Sequence, residues 1–172
     1  DQEWIAICQN NLANQYFETD PAKSLEAYQT AYRIHQELGI RDQETSFLAN
    51  MANCYLALGD YPEAIRLVNQ ALPMLEAEND QSGLSRAYQS LGRANFELED
   101  FAAAERYFLQ SWEVGIDLLD RKVVAAESLG EVYKEMGDYA QALAWQEAYM
   151  TLKDSLFNRD KDAQMTRLLA EF

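Results

Sequence analysis

Four polar side chains recur along the chain at near-constant spacing: Asn14, Asn53, Arg93 and Glu131 are separated by 39, 40 and 38 residues. An asparagine amide both donates and accepts hydrogen bonds, which matches a peptide group. An arginine adds a charge-assisted fork suited to a carboxylate, and a glutamate at the fourth place rejects a second carboxylate while welcoming a basic side chain. The constellations that make or break bonds are missing: there is no HExxH, GxGxxG, P-loop or GxSxG. His35 is the single histidine, which removes most triads, and a lone helical histidine is expected to be a packed or surface residue. Cys8 and Cys54 carry neither CxxC nor metal-ligand spacing and are expected to be small buried hydrophobes. No catalytic residue, metal site or cofactor is therefore assigned.

The elements that carry these side chains are clearest between Leu48 and Leu72. Leu48, Met51, Ala52 and Tyr55 form one apolar face at helical spacing, Gly59 and Asp60 break the run, and Ala64, Ile65, Val68, Ala71 and Leu72 form a second. Two antiparallel helices follow. The small residue after the turn recurs as Ser24, Ala64, Ala104 and Ala142, again separated by 40, 40 and 38 residues. In the first hairpin Asp20 is a natural N-cap with Pro21 at the first helical position, Gly39 ends the second helix, and Asp42 offers a cap for the next. Pro73 removes one backbone donor inside a helix that should continue to about Glu78, with a bend. Asn95 stands where Tyr55 stands one repeat earlier, and Phe96 next to it is expected to supply the bulk from a different azimuth of the helix. Gly92 and Gly130 match Ala52 at a helix crossing, and a large residue at Gly130 is expected to overpack it.

This pattern resembles the tetratricopeptide repeat (TPR), and the Leu48 to Leu72 stretch matches it at nearly every diagnostic place. The resemblance implies an all-α, right-handed solenoid of four hairpins, at about 2–38, 42–78, 81–118 and 120–157, followed by a C-terminal capping or linker helix at 158–172. Met165, Leu168, Leu169 and Phe172 would dock that helix as the start of a fifth repeat. Tyr16, Tyr55, Tyr61, Tyr133 and Tyr139 fall on packing positions of the motif. The long period is similar to that of kinesin light chains, Pins-type adaptors and bacterial peptide-sensing regulators. The DSLFN phrase at Asp154 to Asn158, with the charged helical run after it, resembles the end of the TPR sensor region in bacterial histidine kinases and cyclase signalling proteins.

Counting from the motif, the concave groove is lined by Asn10, Asn14 and Phe17, then Ala49, Asn53 and Leu56, then Arg86, Gln89, Arg93 and Phe96, and last Glu127, Glu131 and Lys134. TPR proteins that bind extended peptides hold the peptide backbone through asparagines at such places. Here Asn10 and Gln89 replace the lysines of a C-terminal carboxylate clamp. The groove is expected to be polarised, accepting acidic ligand residues near Arg86 and Arg93 and basic ones toward Glu131.

With 29 acidic against 14 basic residues, the formal charge of −15 argues against nucleic acid and anionic membranes as partners. No apolar run approaches the roughly 20 residues of a membrane span, so no membrane contact by this stretch is expected. The chain begins at Asp1, as an excised domain would, and whether it works in a bacterial cytoplasm or periplasm is left open. Two functions remain: non-catalytic binding of a protein or peptide in the groove, as the sensor or regulatory part of a signalling protein, or a structural spacer or homodimerisation module with no groove ligand.

Overall fold

The computed structural model describes residues 2–115 and 118–170, with 163 and 167–170 described by backbone only. They form eight helices: α1 (Gln2–Tyr16), α2 (Pro21–Leu38), α3 (Glu44–Leu58), α4 (Tyr61–Ala77), α5 (Gln81–Glu97), α6 (Phe101–Val114), α7 (Leu119–Glu135) and α8 (Tyr139–Ala170). Each helix packs on the one before and the one after it. Across hairpins, α3 also touches α5 and α5 touches α7, whereas no such contact joins α2 to α4, α4 to α6 or α6 to α8. The odd helices are thus the inner row of a curved α-solenoid and the even helices the outer row. Within the inner row α1 does not touch α3 among the described residues.

Local chemistry sets these helices. The carboxylates of Asp20, Asp60, Asp100 and Asp138 accept from the backbone N–H three residues on, at 3.1, 3.4, 3.0 and 3.1 Å, and so satisfy a free donor at the start of each even helix. Asp80 does the same for α5. The expected cap at Asp42 is not formed: α3 begins one residue later, with Gln43 at the cap and no side-chain bond. Gly39, Gly59 and Gly137 take the left-handed conformation that ends their helices. Glu99 does so in the third hairpin, at φ 61°. Pro73 is exposed on α4, which runs through it without interruption to Ala77.

The core lies between the two rows. One cluster links the first three hairpins through residues such as Leu25, Phe47, Leu48, Met51, Val68 and Leu91, and a second joins Phe108 to Leu129 and Val132. His35 is buried, its ring edge-on to Phe47 at 5.0 Å. Gly92 lets Phe108 lie directly on α5, because a Cβ there would stand 2.5 Å from the ring. The crossing at Gly130 is looser, with the nearest atom to such a Cβ at 3.7 Å, so the tight approach falls in the third hairpin and not the fourth.

Two expectations are corrected. Cys54 is buried but Cys8 is exposed, and both are free thiols. Tyr139 is 72% exposed. Its repeat equivalent Tyr61 donates to Glu97 of the following hairpin at 3.3 Å, and among the described residues no hairpin follows Tyr139. The boundary expected at 157 falls within α8. Residues 140–170 contain neither glycine nor proline, and α8 continues for 32 residues, so 158–170 extend the helix instead of turning back on it. Met165 is exposed. The side chains of Leu168 and Leu169, and Phe172 altogether, lie outside the described residues.

Candidate functional site

Three cavities follow one another along the inner face. The first, about 210 Å³, opens between α3 and α5 with Val68, Ala71 and Leu75 of α4 beneath it and Asn53, Arg86 and Ser90 at its sides. The second, also about 210 Å³, shares Asn53, Arg86 and Ser90 with the first and adds Gln89 of α5 and Arg121 of α7. The third, about 300 Å³, runs from Gln89 past Arg93 and Phe96 to Ser128 and Glu131. Shared lining residues make these one continuous groove.

Of the residues expected in the groove, Asn53, Arg86, Gln89, Arg93, Phe96 and Glu131 line this string. Asn10 and Asn14 belong to α1 and line none of these three cavities, and Asn14 accepts a hydrogen bond from the Tyr28 hydroxyl. That bond uses one acceptor position of the amide and neither of its donors. Glu127 is exposed on α7.

The bonds around the groove fix its walls and leave part of it free. Ser90 donates to the Asn53 oxygen at 3.4 Å, and the Gln89 amide donates to Ser128 at 2.7 Å, tying α5 to α3 and to α7. The Gln89 carbonyl is buried without a partner. Arg86 and Arg93 are exposed and enter no ion pair among the described residues, and Arg121 meets only the adjacent Asp120 carboxylate at 3.6 Å.

Below the second cavity, Ser85 and Ser111 hold α5 to α6: the Ser111 hydroxyl donates to the Ser85 carbonyl at 2.9 Å and the Ser85 hydroxyl to the Ser111 carbonyl at 3.2 Å. Gly115 lies against this pair. A Cβ on it would stand 3.2 Å from the Arg121 Cβ and 3.3 Å from the Ser85 hydroxyl. The absent side chain is what lets α7 start close enough to bring Arg121 over α5. Beyond the third cavity, the Tyr133 hydroxyl donates to Glu105. Burial first, and then that carboxylate, push the phenol up to about 12. Burial likewise pushes the Cys54 thiol up, which keeps it protonated beside Ser24.

Arg121 was not found from the sequence. It lies 35 residues after Arg86, off the repeat spacing that picks out Asn53 and Arg93. The available signal was Gly115, a small residue ahead of a basic helix start.

No cluster of three or more His, Cys, Asp or Glu is placed to hold a metal ion, and no helix is long and apolar enough to cross a membrane, among the described residues. Residues 42–114 and 125–155 match the tetratricopeptide-repeat family. The chain is a tetratricopeptide-repeat protein. Its fold is similar to that of BtubC from P. vanneervenii, with a TM-score of 0.80 and 20% identity over 91% of this chain and 66% of that one. Aspartyl phosphate phosphatase F from Bacillus subtilis superposes with a TM-score of 0.82 and 18% identity over 91% of this chain and 42% of that one. MamA gives 0.66 and 13% over 89% and 81%. This chain therefore spans less than two thirds of the first two. TPR hairpins serve protein interaction, and the inner groove described above belongs to that architecture.

Proposed function

We propose that the inner face of α3, α5 and α7 binds an extended segment of a partner protein, without catalysis, and that this TPR module is the sensor or regulatory part of a bacterial signalling protein. The observation that carries the binding reading is the continuous string of cavities bordered by Arg86, Arg93 and Arg121 in a chain of formal charge −15. Asp80, Glu97 and Glu131 border the same cavities, so the arginines favour acidic ligand residues beside them and the carboxylates basic ones beside theirs. The signalling role rests on the resemblance of the DSLFN phrase.

The test is to pan a random peptide library on wild type and on Arg93→Glu and to map bound peptides by crosslinking. Selected peptides are expected to crosslink to the odd helices, to bind less tightly as salt rises, and to lose affinity for the variant. Equal binding to both proteins, or crosslinks to the even helices, would remove the groove assignment. The spacer or homodimer reading is favoured by one observation, the exposed row of Tyr139, Leu143, Met150 and Phe157 on α8. A mass that rises with concentration and returns to the monomer value on Leu143→Glu/Met150→Glu would support it.

A further inference from the structure

A repeat array that stays alone in water carries a polar outer face on its terminal helices, and neither end of this solenoid does. Helix α1 has a single charged residue in 15, Glu3, yet exposes Trp4, Ile5, Ile7, Cys8 and Leu12. Of these, Ile5, Cys8 and Leu12 share one face at helical spacing. Helix α8 holds Tyr139, Leu143 and Met150 outward on one stripe, at intervals of four and seven residues. Inside the molecule, α2, α4 and α6 each pack on the odd helix that follows. The open stripe of α8 is thus of the kind that receives an odd helix, and the open stripe of α1 is of the kind that is received.

The pairs that join hairpins internally have counterparts at the two ends. The Tyr61 hydroxyl, at the start of α4, donates to Glu97 at the end of α5. The same repeat positions at the start of α8 and just past α1 hold Tyr139 and Glu18, again a tyrosine and a glutamate, and both are exposed. Gln29 donates to the Tyr55 hydroxyl at 3.3 Å, and the counterparts are Glu147 and Tyr16. Lys23 stands 5.6 Å over the Tyr16 ring, so a carboxylate arriving there meets a cation. Tyr32 donates to Glu44 at 2.9 Å, and its counterparts Met150 and Ile5 are apolar on both sides. A cavity of about 230 Å³ lies between α1 and α2 beside Leu12, Tyr16 and Lys23, on the face these pairs would cover.

We propose that copies of this chain stack end to end, α1 of one copy lying on α8 of the next, with the Tyr139 hydroxyl donating to Glu18 and Leu143 and Met150 facing the stripe of Ile5, Cys8 and Leu12. The occupant of α8 is a second copy's α1 and not a second α8. A two-fold pair of α8 helices would leave the stripe on α1 in water and Tyr139 without its glutamate. A contact between unlike faces does not close at two copies, so it builds a series that continues the solenoid. The inference rests on the self-association reading above and deepens it by naming the face that α8 takes. It is independent of any groove ligand, since α3, α5 and α7 keep their inner face.

Sedimentation equilibrium of the full chain, from about 10 µM to about 1 mM, reads the joint. The wild-type mass is expected to rise with concentration past that of a dimer. Two variants each carry one blocked end, Ile5→Glu/Leu12→Glu on α1 and Leu143→Glu/Met150→Glu on α8, all at exposed positions. Each variant alone should stay a monomer. Their equal mixture holds one intact α1 face and one intact α8 face, and should form a one-to-one complex and stop there. Tyr139→Phe and Glu18→Gln should each weaken association about fivefold, and together no more than either alone. Circular dichroism melts check that the variants are folded, and Leu12→Gln and Leu143→Gln replace any glutamate pair that is not. If the α1 variant still dimerises while the α8 variant does not, the contact is a two-fold α8 pair: stacking is overturned and self-association stands. A mixture no heavier than its components, or additive losses at Tyr139 and Glu18, also overturns the stacking. A wild type that is monomeric throughout removes self-association, and this inference with it.

Discussion

Phe47 and Met51 of α3 occupy the same repeat positions as Cys8 and Leu12 of α1, 39 residues earlier, yet the two pairs meet opposite fates. Phe47 is 2% and Met51 4% exposed, held against α2, where Tyr32 and His35 face the Phe47 ring. Cys8 is exposed and Leu12 is 38% exposed, because no helix lies on that side of α1 among the described residues. The apolar stripe of a repeat is a demand for a neighbour, and burial is decided by whether the neighbour is there. The same holds at the other end. On α8, Leu143 and Met150 occupy the positions of Leu25 and Tyr32 on α2, which the third helix covers; their own outward face stays open.

The sharpest way to test this difference is to truncate equivalent positions. Phe47→Ala should cost about 3 to 5 kcal/mol in denaturant melts, whereas Leu12→Ala should change stability by about 0.5 kcal/mol or less. Similar losses at both sites would mean that α1 is covered in solution. The two glycine crossings offer a second contrast. Gly92→Ala drives a methyl into Phe108 and should cost about 1 to 3 kcal/mol. Gly130→Ala has room for the methyl and should be neutral or stabilising by about 0.5 to 1 kcal/mol through helix propensity, as read by the shift in melting temperature.

Caps give a smaller effect, the same in every hairpin. Asp100→Ala and Asp60→Ala should each lower stability by about 1 kcal/mol, and a much larger loss at Asp100 would show that the left-handed Glu99 beside it depends on the cap. The smallest effect is a pH dependence. The Tyr133 phenol is raised in the folded protein from an ordinary value of 10.0 to about 12. Its contribution to stability is therefore complete below pH 10 and is lost as pH rises through 10 toward 12. Wild type should lose stability over that window more steeply than Tyr133→Phe, and equal slopes would detach Tyr133 from Glu105.

The hairpins were legible in the sequence because each even helix carries its own start signal. An aspartate cap precedes a helix whose fourth residue is small, at 20, 60, 100 and 138, and these signals act locally whatever the neighbours do. The central groove residues Asn53, Arg86 and Arg93 were legible for a related reason, since repeat spacing places inner-row side chains without any knowledge of packing. What depends on contact between hairpins was not. The exposure of Tyr139 and Cys8 turns on helices that the motif presumes, Arg121 reaches the groove through the close approach at Gly115, and the Asn14 oxygen accepts from a tyrosine of its own hairpin. The boundary at 157 was drawn from the DSLFN resemblance and not from a stop signal, and with neither glycine nor proline there α8 runs through it.

Helix α8 has 32 residues against 17 in its hairpin partner α7, an excess of 15. At 1.5 Å per residue that excess is a rod of about 22 Å, and nearer the start of α8 the Trp145 ring is set edge-on to Trp112 at 5.0 Å. Rods amplify. A tilt of about 10° of the fourth hairpin against the third would move the far tip by about 4 Å over that length. The hydrogen bond from Gln89 to Ser128, which joins the third hairpin to the fourth inside the groove, sits at the short arm of the lever.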